Sequence, residues 1–239
     1  MDKKYLKRMN NFKNTPDHLK FELLKELSEL SEDDQITEFL LDVVENEKYD
    51  RIRINAALIL RKYKSDLIIE KLKTIFAFEH DKSVRLVIVE VLGERDSKEI
   101  DSFYQNVVLK DRNDVVRATA IRKLHERENV SSNDMKVLLL DVIQNDISVF
   151  PKQIALGLIP CYADENTYKT LKNLFLREEM LQMKKLLFKT IEEISKKLEL
   201  DLDVKEPEEP IFEDTKKARK KRRKERKKKK LSKDDFLYF

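Results

Sequence analysis

Asp50–Tyr63 reads DRIRINAALILRKY, Lys82–Arg95 reads KSVRLVIVEVLGER and Asn113–Glu126 reads NDVVRATAIRKLHE; the three superpose without gaps on Arg53, Arg85 and Arg117. These arginines are 32 residues apart at both steps. Three residues after each comes Ala56, Ile88 or Ala120, and seven after it Leu60, Leu92 or Leu124. Positions +3 and +7 share one helical face, so each segment predicts an amphipathic helix and the period predicts a repeat protein.

The register extends outward with lysine in place of arginine. Lys20 precedes Leu23 and Leu27, Lys152 precedes Ala155 and Ile159, and Lys184 precedes Leu187 and Ile191, giving steps of 33, 32, 32, 35 and 32. Between the marks lie second amphipathic segments: DDQITEFLLDVVEN, SDLIIEKLKTIFAF, KEIDSFYQNVVL, SNDMKVLLLDVIQN and ENTYKTLKNLFL. Ser65 and Asp164 suit helix N-caps. Alone, SVRLVIVEVL would read as a buried strand, since Val84, Val87, Val89 and Val91 are β-branched. Its aligned neighbours carry Ala56, Ala57, Ala118 and Ala120, and a helix apolar almost all round is what the middle of a stack requires. The expected fold is all-α: an α-solenoid of about five to six helical hairpins over residues 17–200, after an N-terminal extension at 1–16.

The core resembles the short HEAT repeats related to the phycobilin-lyase type, with the pattern D-x-x-V-R-x-x-A-x-x-x-L-G. The matching residues are Asp81, Val84, Arg85, Ile88, Leu92 and Gly93; Asp114, Val116, Arg117, Ala120 and Leu124; and Asp50, Ile52, Arg53, Ala56 and Leu60. Ile88 stands where the family has a small residue, the glycine occurs once, and the outer repeats carry lysine. The resemblance implies a right-handed stack that serves as a binding scaffold. The ladder of Asp50, Asp81 and Asp114 with Arg53, Arg85 and Arg117 reads as architecture: the aspartate caps a helix start, and the arginine pairs with the aspartate of the adjacent repeat.

Composition agrees with a helical protein and narrows the chemistry. Only Gly93 and Gly157 are glycines and they are isolated, which excludes a glycine-rich phosphate loop. His18, His80 and His125 fall in three different repeats without a second ligand at metal spacing. HEAT-like deoxyhypusine hydroxylases carry several His-Glu pairs on successive repeats, whereas His125-Glu126 is single here. No catalytic, cofactor-binding or metal-ligating residues are assigned, and no cofactor is expected. Cys161, the one cysteine, reads as a small core residue and allows no intramolecular disulfide, which suits a reducing cytoplasm. No run of about 18 apolar residues occurs, so no transmembrane segment is expected.

The formal net charge of +4 hides a segregation. Residues 1–200 are nearly neutral, whereas residues 201–215, DLDVKEPEEPIFEDT, hold seven carboxylates against one lysine and read as an acidic linker. In residues 216–230 thirteen of fifteen side chains are basic: Lys216, Lys217, Arg219, Lys220, Lys221, Arg222, Arg223, Lys224, Arg226, Lys227, Lys228, Lys229 and Lys230. Their mutual repulsion predicts a disordered segment, and their density predicts sequence-independent binding to phosphate backbones. An anionic membrane, an acidic protein and, in a eukaryote, a nuclear import receptor compete as targets. Phe236, Leu237, Tyr238 and Phe239 form an apolar tip beside Asp234 and Asp235, either docking in a partner pocket or packing back on the solenoid. The function expected is a non-enzymatic adaptor that holds a protein partner on the solenoid and a polyanion on the basic segment. A HEAT-like nucleic-acid enzyme of the base-repair type, or a scaffold on an anionic membrane, is the alternative.

Overall fold

The computed structural model describes residues 3–208 apart from Asp96 and Glu128. The chain divides into two units, Met1–Val204 and Lys205–Phe239. The basic run Lys216–Lys230 and the tip Phe236–Phe239 lie outside the described residues.

The first unit is helical, with no strand among the described residues. In chain order its helices are α1 (Lys3–Asn10), α2 (Asp17–Ser28), α3 (Asp34–Asn46), α4 (Asp50–Leu60), α5 (Leu67–Phe78), α6 (Lys82–Gly93), α7 (Lys98–Lys110), α8 (Asp114–His125), α9 (Ser132–Asn145), α10 (Val149–Leu158), α11 (Glu165–Arg177) and α12 (Leu181–Lys197). Phe12–Asn14 and Ile159–Cys161 are single 3-10 turns. The six marked cations fall on the even-numbered helices α2 to α12, and the β-branched run SVRLVIVEVL is helix α6, as the register requires. Each even helix from α4 onward packs on the odd helix before it and on the even helices beside it, so the unit is a two-layered solenoid of hairpins. Ala56, Ala57, Ala118, Ala120 and Ala155 are fully buried in the even layer, where small side chains let successive helices approach closely.

The arginines pair with carboxylates of the adjacent repeat, but not with Asp50, Asp81 or Asp114. Arg53 binds Glu79, Arg85 binds Asp111 and Arg117 binds Asp146, each through Nε and Nη2 to both carboxylate oxygens, while Lys20 reaches Glu47 at 2.7 Å. These carboxylates are the residues that terminate α3, α5, α7 and α9. Each arginine also donates to carbonyls of its own turn: Arg53 to Glu47 and Lys48, Arg85 to Glu79 and His80, Arg117 to Asp111. The result is an unbroken chain of bonds from turn to turn along one edge of the stack. Asp81 does cap α6, accepting from the Ser83 and Val84 N–H groups, but α8 is capped by Asn113 and α4 begins after Tyr49. Asp50 and Asp114 occupy the first helical residue, where they face the positive end of the helix dipole.

Other expectations also shift. Asp164 caps α11 in a capping box with Thr167, but Ser65 caps nothing; its N–H and that of Lys64 are taken by Glu32 of the preceding loop. Cys161 is exposed, because the 3-10 turn buries Ile159 and Pro160 and turns the thiol outward. Of the extension at 1–16, the described residues join the core: Met9 and Phe12 are buried, and Phe12 meets Phe39 edge to face at 5.1 Å.

The first unit also runs past Leu200. Helix α12 ends in a Schellman turn, with the Leu200 N–H donating to the Ser195 carbonyl and Glu199 at φ 55°. This turn returns the chain to α11, where Tyr168 Oη donates to the Asp201 carbonyl and to Asp203 at 3.0 Å each and Val204 is buried. The first four residues read as linker therefore belong to the solenoid.

Candidate docking clefts on the odd layer

Helices α5 and α7 bury Ile68, Ile69, Leu72 and Ile75 from one side and Ile100, Tyr104, Val107 and Val108 from the other. At 3.6 residues per turn, the phase that sends Ile75 inward leaves Phe76 at the margin of the core and Phe78 outside it. Phe78 is 78% exposed, among the most exposed large apolar side chains described. Phe76 packs edge to face on Phe103 with ring centres 5.0 Å apart, and Phe103 leans on Tyr104 at 5.6 Å. Tyr104 is fixed in turn by donating to the Val89 carbonyl at 2.7 Å, and burial pushes the pKa of its hydroxyl up.

Phe76 and Phe103 floor an open cleft of about 580 Å³ between α5 and α7, lined also by Phe78, Ala77, Val107, Lys73, Lys110 and Arg112. A second cleft of about 540 Å³, lined by Glu45, Arg53, Ile75 and Asp81, opens on the other side of the ridge formed by Phe78, Glu79 and His80. Both have the volume of ordinary ligand sites but are open along the solenoid edge, a shape suited to an extended or helical segment. Arg112 donates to the His80 carbonyl and ties the α7–α8 turn to the α5–α6 turn, so the closed end of the cleft is braced.

The charges of the cleft are sorted by their partners. Glu79 and Asp111 line it, but Arg53 and Arg85 neutralise them. Lys73 lies 3.5 Å from both Glu70 and Glu99. Lys110 and Arg112 are exposed and form no ion pair among the described residues. The uncompensated charge at this end is positive. A third cleft, of about 490 Å³, between α1 and α3 has the opposite sign: Leu6, Met9, Phe12 and Phe39 supply its apolar surface, and Glu38 and Asp42 outnumber Lys13, which lies 4.0 Å from Asp42.

Of the residues singled out from sequence, the structure brings the arginine ladder together and places His80 on the cleft wall. His125 lies in a different contact, its Nδ1 2.6 Å from Tyr162 Oη. No group of His, Cys, Asp or Glu among the described residues has the arrangement of a metal site, and no described helix is long and apolar enough to cross a membrane. Phe76, Phe78 and Phe103 were absent from the sequence-derived site residues. The spacing of Phe76 and Phe78 was their signal, since residues two apart on a helix stand about 200° apart and cannot both lie on the single apolar stripe that Ile68, Leu72 and Ile75 set on α5. No family model, curated protein or solved structure matches the chain.

Proposed function

We propose that this chain is a cytoplasmic, non-enzymatic scaffold of the HEAT-like kind, which seats a protein partner along the odd-layer edge and engages a polyanion through Lys216–Lys230. The observation that carries the reading is Phe78, held almost fully in water between two open clefts while the ion pairs around it are satisfied internally. An exposed aromatic on a braced edge costs hydration and contributes nothing to the core, which is the signature of an anchor for a partner. The basic run supplies affinity without sequence choice: thirteen cations and no aromatic side chain bind phosphate backbones and do not stack on bases.

Two measurements test the two halves separately. A photo-crosslinking residue at position 78 of the full chain in cells is expected to capture a discrete partner that the same residue at the exposed Val137 of α9 does not. Equal labelling from both positions removes the edge from consideration. For the basic run, the full chain is expected to bind RNA and duplex DNA with an affinity that falls steeply with salt, whereas a chain ending at Glu208 does not. Equal binding by the two chains refutes that half of the proposal.

A further inference from the structure

We propose that the cleft between α5 and α7 takes a short partner segment in which aromatic side chains stand beside carboxylates. This rests on the scaffold reading and names the chemistry of the partner at that edge. The floor dictates the first half: Phe76 and Phe103 present ring edges and faces at fixed angles, and Phe78 adds a free wall, so a flat aromatic side chain finds both stacking and edge contacts. The rim dictates the second half. Glu79 and Asp111 are occupied by Arg53 and Arg85, so an incoming carboxylate meets Lys110 and Arg112, neither of which forms an ion pair among the described residues; Arg112 spends one N–H on the His80 carbonyl and keeps its charge uncompensated. A basic segment is disfavoured by the same cations. The acidic cleft between α1 and α3 would repel the carboxylates that the α5–α7 cleft attracts, so the two clefts discriminate by charge along one layer.

Asp234–Phe239, DDFLYF, has this composition, and the hexapeptide provides a probe. Fluorescein-labelled DDFLYF, KKFLYF and DDASAS are titrated with the full chain and read by fluorescence anisotropy. DDFLYF is expected to bind, KKFLYF about tenfold more weakly, and DDASAS not measurably. Lys110→Glu together with Lys73→Glu should weaken DDFLYF about tenfold and strengthen KKFLYF. Phe78→Ser should weaken both by about tenfold. Phe78 and Lys110 are exposed and Lys73 is half-buried beside Glu70 and Glu99, so unchanged melting verifies that each variant folds, and Lys110→Glu alone serves where the double variant melts lower.

Because the basic run is the same in every chain compared, its attraction for acidic peptides cancels between them. Binding of DDFLYF that is indifferent to the cleft substitutions belongs to that run and overturns the proposal, as does equal affinity for DDFLYF and KKFLYF. Tighter binding of the probe by a chain carrying Phe236→Ser and Phe239→Ser identifies the chain's own segment as a competitor of the same chemistry, which supports it. If peptide selectivity fails while crosslinking at position 78 persists, the scaffold reading stands and only the ligand class is lost.

Discussion

Arg117 holds Asp146 through two parallel hydrogen bonds, Nε to Oδ2 and Nη2 to Oδ1, both 2.7 Å long. Each side chain retains only 6% of its exposure, and the pairing pushes the arginine's pKa up. A buried pair of this kind adds little beyond an apolar replacement, but removing one partner strands the other's charge. Arg117→Met is therefore expected to cost about 3–5 kcal/mol in urea unfolding. Adding Asp146→Asn should recover a substantial part of that loss, although the carboxylate's bond to the Ser148 N–H is weakened. Additive losses would show that the pair does not couple α8 to the α9–α10 turn.

Asp164 predicts a pH dependence. Hydrogen bonds from Lys136 and from the backbone and hydroxyl of Thr167 hold its carboxyl well below the ordinary 3.8. A carboxyl whose folded pKa is depressed stabilises the fold above its unfolded pKa, and the contribution is lost as pH falls through the folded value. Asp164→Asn keeps a capping oxygen and removes the charge. Its urea midpoint should lie below that of the wild type near neutral pH, and the gap should narrow below about pH 4. The side chain is 47% exposed, so the gap is modest and salt reduces it. A gap constant from neutral pH into the acid range contradicts this assignment.

The solenoid was legible because the period near 32 makes each helix repeat the last, so Arg53, Arg85 and Arg117 mark equivalent places and overrule the strand-like run of α6. What the cations hold was legible only in part. Glu47, Glu79, Asp111 and Asp146 each lie six residues before a marked cation, a spacing open to view, yet each pairs with the cation of the preceding repeat. Bonds between repeats depend on how helices stack, which a one-dimensional pattern does not encode. Cys161 failed for a related reason: in an apolar run the helical period assigns a face, but a 3-10 turn changes the phase and turns the thiol out. The cleft requires Phe76 of one repeat and Phe103 of the next to meet, and neither segment reveals that alone.

Val204 predicts where the folded unit ends. Its burial, with the Tyr168 bonds to Asp201 and Asp203, is expected to contribute about 1.5–2 kcal/mol. A chain shortened to Leu200 should melt several degrees below one shortened to Glu208. Val204→Asp in the full chain should reproduce most of the difference. Identical melting of the two shortened chains would place the boundary back at Leu200.

Two backbone positions predict gains. A Cβ at Gly157 would meet nothing within 4 Å, and the residue is inside α10, so Gly157→Ala should stabilise by about 0.5–1 kcal/mol through helix propensity. Glu199, at φ 55°, stands where a Schellman turn favours glycine, and Glu199→Gly should raise stability by about 1 kcal/mol. Gly93→Ala, the control, brings a Cβ 2.6 Å from Lys123 Cδ and should gain less than Gly157→Ala, because the lysine must leave its place between Glu90 and Glu126. Differential scanning calorimetry of the three variants ranks them directly.

Phe78 predicts a separation of binding from folding. The ring is 78% exposed at the last residue of α5, so its removal forfeits little buried area, and Phe78→Ser should change unfolding free energy by less than about 0.5 kcal/mol. Tyr104 is fully buried one helix away; Tyr104→Ala should cost about 3–5 kcal/mol through the cavity it leaves. Urea unfolding measures both, and the contrast decides what Phe78 is for. If Phe78→Ser destabilised the protein as Tyr104→Ala does, the ring would be a structural member of the α5–α7 packing, and its exposure could no longer be read as an anchor kept for a partner. A near-silent Phe78→Ser that also weakens binding of DDFLYF would mean that the clefts on either side of Phe78 are maintained by the ion-pair chain beneath them and used from outside.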